Sequence, residues 1–285
     1  MKGTRCLRAK WNEWRLSMRL RAYYRMPPLK ESERLDGRFL LKEGWDLVSI
    51  AFNNPDVIRE QYRLLRKHCS DPFVYTVADN SSQPAARVAI CQFCREAAIP
   101  YLSLPPSPFT PPSFSESHGA ALNYVYRHYL KPRRAPYFGV LDHDIFPVQP
   151  VSLTAYVKEQ PFYGMLQVCD NAEVTGGRLL YLWPGLAFFD AAYTHARKVD
   201  FMPRYGGDTG SGSFYSLYKP LLVDEGKEAV FAFPDETRVP LWEGDDFQND
   251  MYAHIGDEWL HMVNASNWRQ AEDHLKKSQR VAELL

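Results

Sequence analysis

Trp45-Asp-Leu-Val-Ser-Ile-Ala-Phe52, followed at once by Asn53-Asn-Pro-Asp56, decides the fold class of this 285-residue chain. The first eight residues form a short apolar run fit to be a buried strand. Asn54 and Pro55 then supply an N-cap and a first-turn proline for a helix reaching about Cys69. The same step recurs. Phe73-Val-Tyr-Thr-Val-Ala78 predicts a second strand ending at Asp79-Asn-Ser-Ser82, and Pro84 opens a helix through about Ala98. A short strand near Tyr101–Leu104 follows, then a Pro- and Ser-rich break over 105–115 and a helix from Ser117 through Leu130. Strands joined by helix-length crossovers predict an α/β fold with a parallel sheet covered on both faces.

The next strand, Tyr137-Phe-Gly-Val-Leu-Asp-His-Asp-Ile-Phe146, carries two carboxylates two residues apart. In an extended chain residues i and i+2 point to one side, so Asp142 and Asp144 are expected to converge while His143 faces away. Paired carboxylates at a strand end suit a hard divalent cation, and a solvated turn explains the same spacing. Position favours the cation. In parallel α/β sheets ligands bind at the carboxyl ends of the strands, and three such ends here carry Asn53-Asn54, Asp79-Asn80-Ser81 and Asp142-His143-Asp144.

Beyond residue 150 the alternation fades. Phe162–Cys169 and Arg178–Trp183 are expected strands, and Gly206-Gly-Asp-Thr-Gly-Ser-Gly212 lacks the lysine and spacing of a P-loop. Either it lets backbone approach a ligand, with Asp208 at its rim, or it is a turn leading into a helix over Phe214–Tyr218.

Composition is that of a globular enzyme, 45% hydrophobic and 24% charged, with no apolar run of membrane-spanning length and no signal-peptide pattern. Five cysteines without framework spacing point to a reducing compartment, and the lone Cys91-Gln-Phe-Cys94 reads as helix packing. The net charge of zero conceals a split: residues 1–30 hold nine Lys or Arg and one acid, leaving the remainder at −8. That argues against a broad nucleic-acid surface. Within residues 1–40, read as a basic N-terminal arm, Leu7, Trp11, Trp14 and Met18 recur at helical spacing among Arg8, Arg15 and Arg19. Such a helix either lies on an anionic membrane or docks onto its own domain by its tryptophans.

Four segments in order resemble nucleotide-sugar glycosyltransferases of the GT-A fold: Val48–Asn53, Val77–Ser81, His118-Gly-Ala-Ala-Leu-Asn123 and Leu141-Asp-His-Asp144. The first half is similar to family 2 members, and the last segment matches their DxD motif. The resemblance implies a Rossmann-like, mostly parallel central sheet, one domain over 41–285 with a nucleotide-binding half (41–150) and an acceptor-binding half (151–285). It implies that Mn²⁺ or Mg²⁺ sits on Asp142 and Asp144 and holds the donor diphosphate. It further implies donor contacts at Ala51, Asn53, Asp79, His118, Asn123, Asp142 and Gly185, the last within Leu182-Trp-Pro-Gly-Leu-Ala-Phe-Phe189. Trp259-Leu-His-Met-Val-Asn264 resembles the C-terminal His segment of family 8, which makes His261 a third metal ligand, although Ser266-Asn267-Trp268 stands where that family has Lys-Pro-Trp. Without the ligand role His261 is a core-edge histidine.

An inverting transferase also needs a carboxylate base. The resemblance implies Asp208 for it, with Asp246 (beside Asp245) second; a retaining enzyme needs none. Trp183, Trp242 and Trp268 are each either sugar-stacking or core residues. The expected partners are a nucleotide-sugar donor, a glycan or lipid-linked acceptor and an anionic membrane surface met by residues 1–30, with no nucleic acid. The expected location is cytoplasmic, peripheral on the inner membrane face. Two other functions compete: a sugar-nucleotide nucleotidyltransferase, disfavoured by Asn53-Asn-Pro-Asp56 where a basic glycine-rich loop belongs, and an inactive peripheral membrane module that keeps the scaffold.

Overall fold

A computed structural model describes residues 2–29, 32, 43–109, 114–171, 174, 176–241, 251–263, 279–280 and 282–285. Seven strands precede the glycine-rich loop: β1 (Trp45–Ala51), β2 (Phe73–Asp79), β3 (Tyr101–Ser103), β4 (Tyr137–Asp142), β5 (Ile145–Pro147), β6 (Phe162–Asp170) and β7 (Arg178–Asp190). Three follow it: β8 (Glu236–Pro240), β9 (Met251–Ile255) and β10 (Trp259–His261). The principal helices are α1 (Lys2–Tyr23), α2 (Pro55–His68), α3 (Pro84–Glu96) and α4 (Phe114–Val125).

Six strands form one sheet in the order β3-β2-β1-β4-β7-β6. The pairs β1–β2, β2–β3 and β1–β4 are parallel, while β7 runs antiparallel to both β4 and β6. This is the expected α/β architecture with a mostly parallel sheet. Its local cause is visible at the first step: the Asn54 side chain accepts hydrogen bonds from the amides of Asp56 and Val57, and Pro55 opens α2. Every residue of β1 is buried, as a strand covered on both faces requires. Val48 and Ile50 point into a core shared with α4 and the end of α1; Leu47 and Ala51 point into a second core under α2 and α3.

The remaining four strands form a separate antiparallel sheet, β5-β10-β9-β8. Its strands are three to five residues long, so neither an alternating pattern nor a long apolar run announces them. The fourth expected helix starts at Phe114, before Ser117, and widens into a π-helical turn over Tyr126–Leu130. The segment Phe214–Tyr218 is likewise π-helical. β7 outruns its expected end at Trp183 and continues to Asp190. Pro184 is tolerated because pairing with β6 is interrupted between Leu166↔Leu182 and Gly164↔Ala187, so no ladder bond is asked of it. Cys91 and Cys94 are buried in α3, the packing role expected of them.

The N-terminal helix meets the body at its far end. Leu20 and Tyr23 are buried, Tyr23 packs on Tyr124 of α4 at 5.3 Å between ring centroids, and the Arg127 guanidinium lies 4.3 Å over Tyr24. Trp11 and Trp14, the anchors that self-docking would have used, are exposed.

Gly139 marks a tight point of the central sheet between β1 and β7. A Cβ there would sit 2.7 Å from Leu47 Cδ2 and 2.8 Å from Phe188 Cδ1, both fully buried side chains. Gly139→Ala is therefore expected to destabilise by about 1–3 kcal/mol through overpacking. Urea unfolding of the variant measures it, and a loss under ~0.5 kcal/mol would show that Leu47 and Phe188 yield freely.

Candidate active site

β4 ends at Asp142, and the chain leaves one sheet there to enter the other at Ile145, only three residues later. The intervening His143-Asp144 is a turn, not extended chain. Asp142 and Asp144 do face one cavity, but they reach it across a turn and not along an uninterrupted strand, so the i/i+2 rule, which needs extended backbone, is not what brings them together. His143, expected to face away from the two carboxylates, also borders the cavity that they line. That ring is buried, and its Nδ1 accepts a hydrogen bond from the Phe52 amide at 3.1 Å, tying the ends of β4 and β1 together. From the α2 side, Gln61 Nε2 donates to the carbonyls of both Asp142 and Ile145 at 2.7 Å, while its own Oε1 accepts from the Tyr75 hydroxyl at 2.7 Å. The Met262 amide donates to the Asp144 carbonyl at 2.9 Å, drawing the end of β10 to the same turn.

Above this turn lies a cavity of about 310 Å³, a size suited to a small-molecule ligand. Asp142, Asp144, Asp208, His118 and His261 all line it, together with Asn80, Thr209, Trp183 and Phe114. Five residues singled out in the sequence thus come together from four parts of the chain. The carboxylates are held in distinct settings. Asp142 Oδ1 lies 3.2 Å from His118 Nε2, a close contact without hydrogen-bonding geometry. Asp144 Oδ1 lies 3.7 Å from His261 Nε2, and His261 Nδ1 is buried without a partner. Asp208 Oδ1 accepts from the Thr209 amide at 2.7 Å, and its own amide donates to the Tyr181 hydroxyl at 2.9 Å.

Burial sets the protonation states. It pushes the Asp142 carboxyl up, an effect opposed by His118 and reinforced by the like charge of Asp208. The same desolvation drives the imidazoles down, His143 to about 4 and His261 to about 3, with His118 adding to the first and Arg238 to the second. Neutral imidazole and carboxylate are both competent donors for a divalent cation, and the His261 nitrogen that faces Asp144 is Nε2. Among the described residues, however, no three such groups stand together as a ready ligand shell. The arrangement is two carboxylate–imidazole pairs, Asp142–His118 and Asp144–His261, on one cavity.

Among the described residues, the other singled-out donor positions do not line the cavity. Asp79 is fully buried, accepting from the Ser81 amide at 2.8 Å and the Tyr101 hydroxyl at 2.7 Å. Asn53 adopts φ +56°, which asparagine tolerates, and its Oδ1 accepts the amides of Ser82 and Gln83 at the entry to α3. Asn123 donates to Asp200 Oδ1 at 2.8 Å and accepts the Phe201 amide at 2.9 Å. Ala51 is buried strand. Gly185 lies beneath the Trp183 indole, whose ring atoms stand 2.1–2.3 Å from where a Cβ would be. That ring packs on His261 with centroids 5.0 Å apart. Asp245, Asp246, Trp242 and Trp268 lie outside the described residues. Sequence reasoning missed Gln61 and His143 as holders of the turn. The available signal was the apolar Ile145-Phe146 after Asp144, which demands a second buried strand and hence a tight turn between.

Two measurements test this architecture. Gln61→Leu leaves two carbonyls and the Tyr75 hydroxyl without their partner, so a loss of about 2–4 kcal/mol in unfolding free energy is expected. A loss below ~1 kcal/mol would mean that these groups find other partners. For His143, the folded value of about 4 lies below the unfolded 6.5. Its contribution to stability is therefore full above pH 6.5 and is lost as pH falls toward 4. His143→Asn keeps an acceptor for the Phe52 amide and removes that titration. Between pH 7 and 5 the wild type should lose roughly 2 kcal/mol more stability than the variant. Parallel pH profiles would show that His143 protonates without cost.

No protein-family model and no curated protein sequence matches the chain. Solved structures similar to it include the mannosyltransferase PcManGT from Pyrobaculum calidifontis in complex with GDP-Man and Mn²⁺ (13% identity, 64% of this chain and 52% of that one, TM-score 0.39). Another is TarS of S. aureus (13% identity, 55% and 30%, TM-score 0.35). A third is the mannosyltransferase Ktr4p from S. cerevisiae (9% identity, 64% and 65%, TM-score 0.38). In each case the match spans less than two thirds of the other chain's length.

Proposed function

We propose that this chain is a glycosyltransferase that moves a sugar from a nucleotide-diphosphate donor, with Mn²⁺ or Mg²⁺, to a glycan or lipid-linked acceptor. One observation carries the reading: three carboxylates, Asp142, Asp144 and Asp208, line a single cavity at the carboxyl edge of a mostly parallel sheet, faced there by imidazoles. Such a cavity is short of positive charge. A divalent cation with the diphosphate it holds would complete it, and both suit the Asp and His donors present.

In this reading Asp142, Asp144 and His261 hold the cation, whose contribution is to neutralise the charge that develops on the departing diphosphate. The chain's own residues do the remainder. Trp183, held over Gly185 and against His261, offers a flat apolar face on which a sugar ring stacks. The amide donated by Thr209 fixes the Asp208 carboxylate, and Thr209 Oγ1 ties that loop to the Ser115 carbonyl at 3.1 Å. If configuration inverts at the transferred sugar, Asp208 is the base that takes the acceptor hydroxyl proton. Phe114 at the rim helps exclude water from the reacting centre.

Incubation with Mn²⁺ and a panel of nucleotide sugars, followed for release of nucleoside diphosphate, tests the proposal. Slow hydrolysis of at least one donor is expected, abolished by EDTA and lowered at least 100-fold by Asp144→Ala. Release of pyrophosphate in place of the nucleoside diphosphate would reassign the chain as a nucleotidyltransferase.

A further inference from the structure

We propose that the outer face of α1 is a docking surface for an anionic lipid bilayer, and that it brings the cavity mouth to that surface. Trp11, Trp14 and Met18 are 57%, 55% and 45% exposed, and they recur at i, i+3 and i+7 on one side of the helix. Trp11 and Trp14 stack on each other with ring centroids 5.1 Å apart. Two stacked tryptophans, each more than half exposed, together present on the order of 300 Å² of largely apolar surface in one patch.

Charge says what covers this face. Residues 1–30 hold nine Lys or Arg against one acid, while the rest of the chain nets −8. A second copy of the chain would bring the same cationic helix to the contact, and like charges oppose that pairing. An anionic bilayer satisfies both features at once: indole rings settle at the headgroup level while the arginines meet lipid phosphates. No described helix is long and apolar enough to cross the membrane, so the contact lies in the plane of the interface.

The helix is also joined to the cavity wall. Its last turns are anchored by the buried Leu20 and Tyr23, and Arg19 donates to the Pro108 carbonyl. One residue before Pro108, Ser107 Oγ accepts from Ser117 Oγ at 2.8 Å, and Ser117 and His118 both line the cavity. The Tyr24 hydroxyl accepts from Asn123 further along α4 at 3.3 Å. Lipid contact at Trp11 and Trp14 thus sets α4, and with it the cavity rim, beside the bilayer. An acceptor borne on a lipid is the substrate such placement favours, and this last step alone rests on the glycosyltransferase reading.

Co-sedimentation of the full chain with vesicles tests the surface directly. Vesicles of phosphatidylglycerol and phosphatidylcholine should pellet the protein, phosphatidylcholine alone should not, and the tryptophan emission should shift to the blue on binding. The Trp11→Ser/Trp14→Ser double variant touches neither cavity nor core and should keep its circular dichroism and thermal midpoint. It should need at least fivefold more anionic lipid for half-binding. Equal pelleting of variant and wild type overturns the proposal, and so does equal binding to neutral and anionic vesicles. A lipid-free dimer that the double variant abolishes would assign the face to a second copy instead. Vesicle binding is read without turnover, so its failure is distinguishable from a failure to release nucleoside diphosphate in solution.

Discussion

The turn His143-Asp144 is the constraint on which the site depends, because there the chain must leave a fully paired central strand and enter a second sheet within three residues. A reversal that tight leaves the carbonyls of Asp142 and Ile145 to be satisfied by a side chain. Gln61 from α2 satisfies both, and Tyr75 satisfies Gln61. The Phe52 amide, released where β1 ends, is taken by His143. A buried polar group without a partner costs about 1–3 kcal/mol, so these bonds hold the turn in one geometry more firmly than apolar packing could. The carboxylates of Asp142 and Asp144 then point where the backbone, not the side chains, sends them.

That rigidity lets the cavity keep an electrostatic imbalance. A flexible pocket with three carboxylates would open and hydrate, or its acids would turn outward. Here Asp142 stays in place with its carboxyl pushed up by burial and by Asp208, and His261 stays neutral because desolvation, with Arg238 and His143 adding to it, disfavours its cation. The cavity wall thus holds carboxylate and imidazole side chains side by side in a fixed geometry, the donor types that a divalent cation takes.

How much of this was legible in the sequence follows from the range of the forces involved. Asn54-Pro55 and Pro84 act within their own helix turn, and the apolar runs of β1, β2 and β4 declare burial on both faces; these local signals placed the parallel sheet correctly. The carboxyl-edge rule then brought out Asp142 and Asp144, and the family resemblance added His118, Asp208 and His261, all five of which share the cavity. What failed was the assumption of extended backbone past Asp142, because only the later demand for a buried β5 forces a turn. The second sheet was illegible for the same reason. Three-residue strands such as β5 and β10 are stabilised by partners more than a hundred residues away, and no window of sequence contains both. Asp79 and Asn123 show a further limit: a polar residue at a strand end or in a helix gives no sign in sequence of the Tyr101 hydroxyl or the Phe201 amide that bonds it.

The meeting of His118 with Asp208 shows how a long-range placement can still have a local cause. The residue after His118 is Gly119, and a Cβ there would stand 2.7 Å from the Phe201 carbonyl oxygen and 3.1 Å from Met202 Cα. Only glycine lets α4 lie that close to the 200–202 backbone. One turn further on, Asn123 binds both Asp200 and the Phe201 amide, fixing the register of the contact. From there Ser213 Oγ bonds both the Asp200 amide and its carbonyl, at 2.9 and 3.0 Å, closing the glycine-rich loop back on its own start. Gly210, at φ +97° and 2.4 Å from the Leu182 carbonyl by the same Cβ measure, supplies the reversal no larger residue could make. Asp208 is left at the crest of a loop whose two ends are pinned to α4 and β7. Its place opposite His118 is thus set by two glycines and one asparagine, none of which touches the cavity.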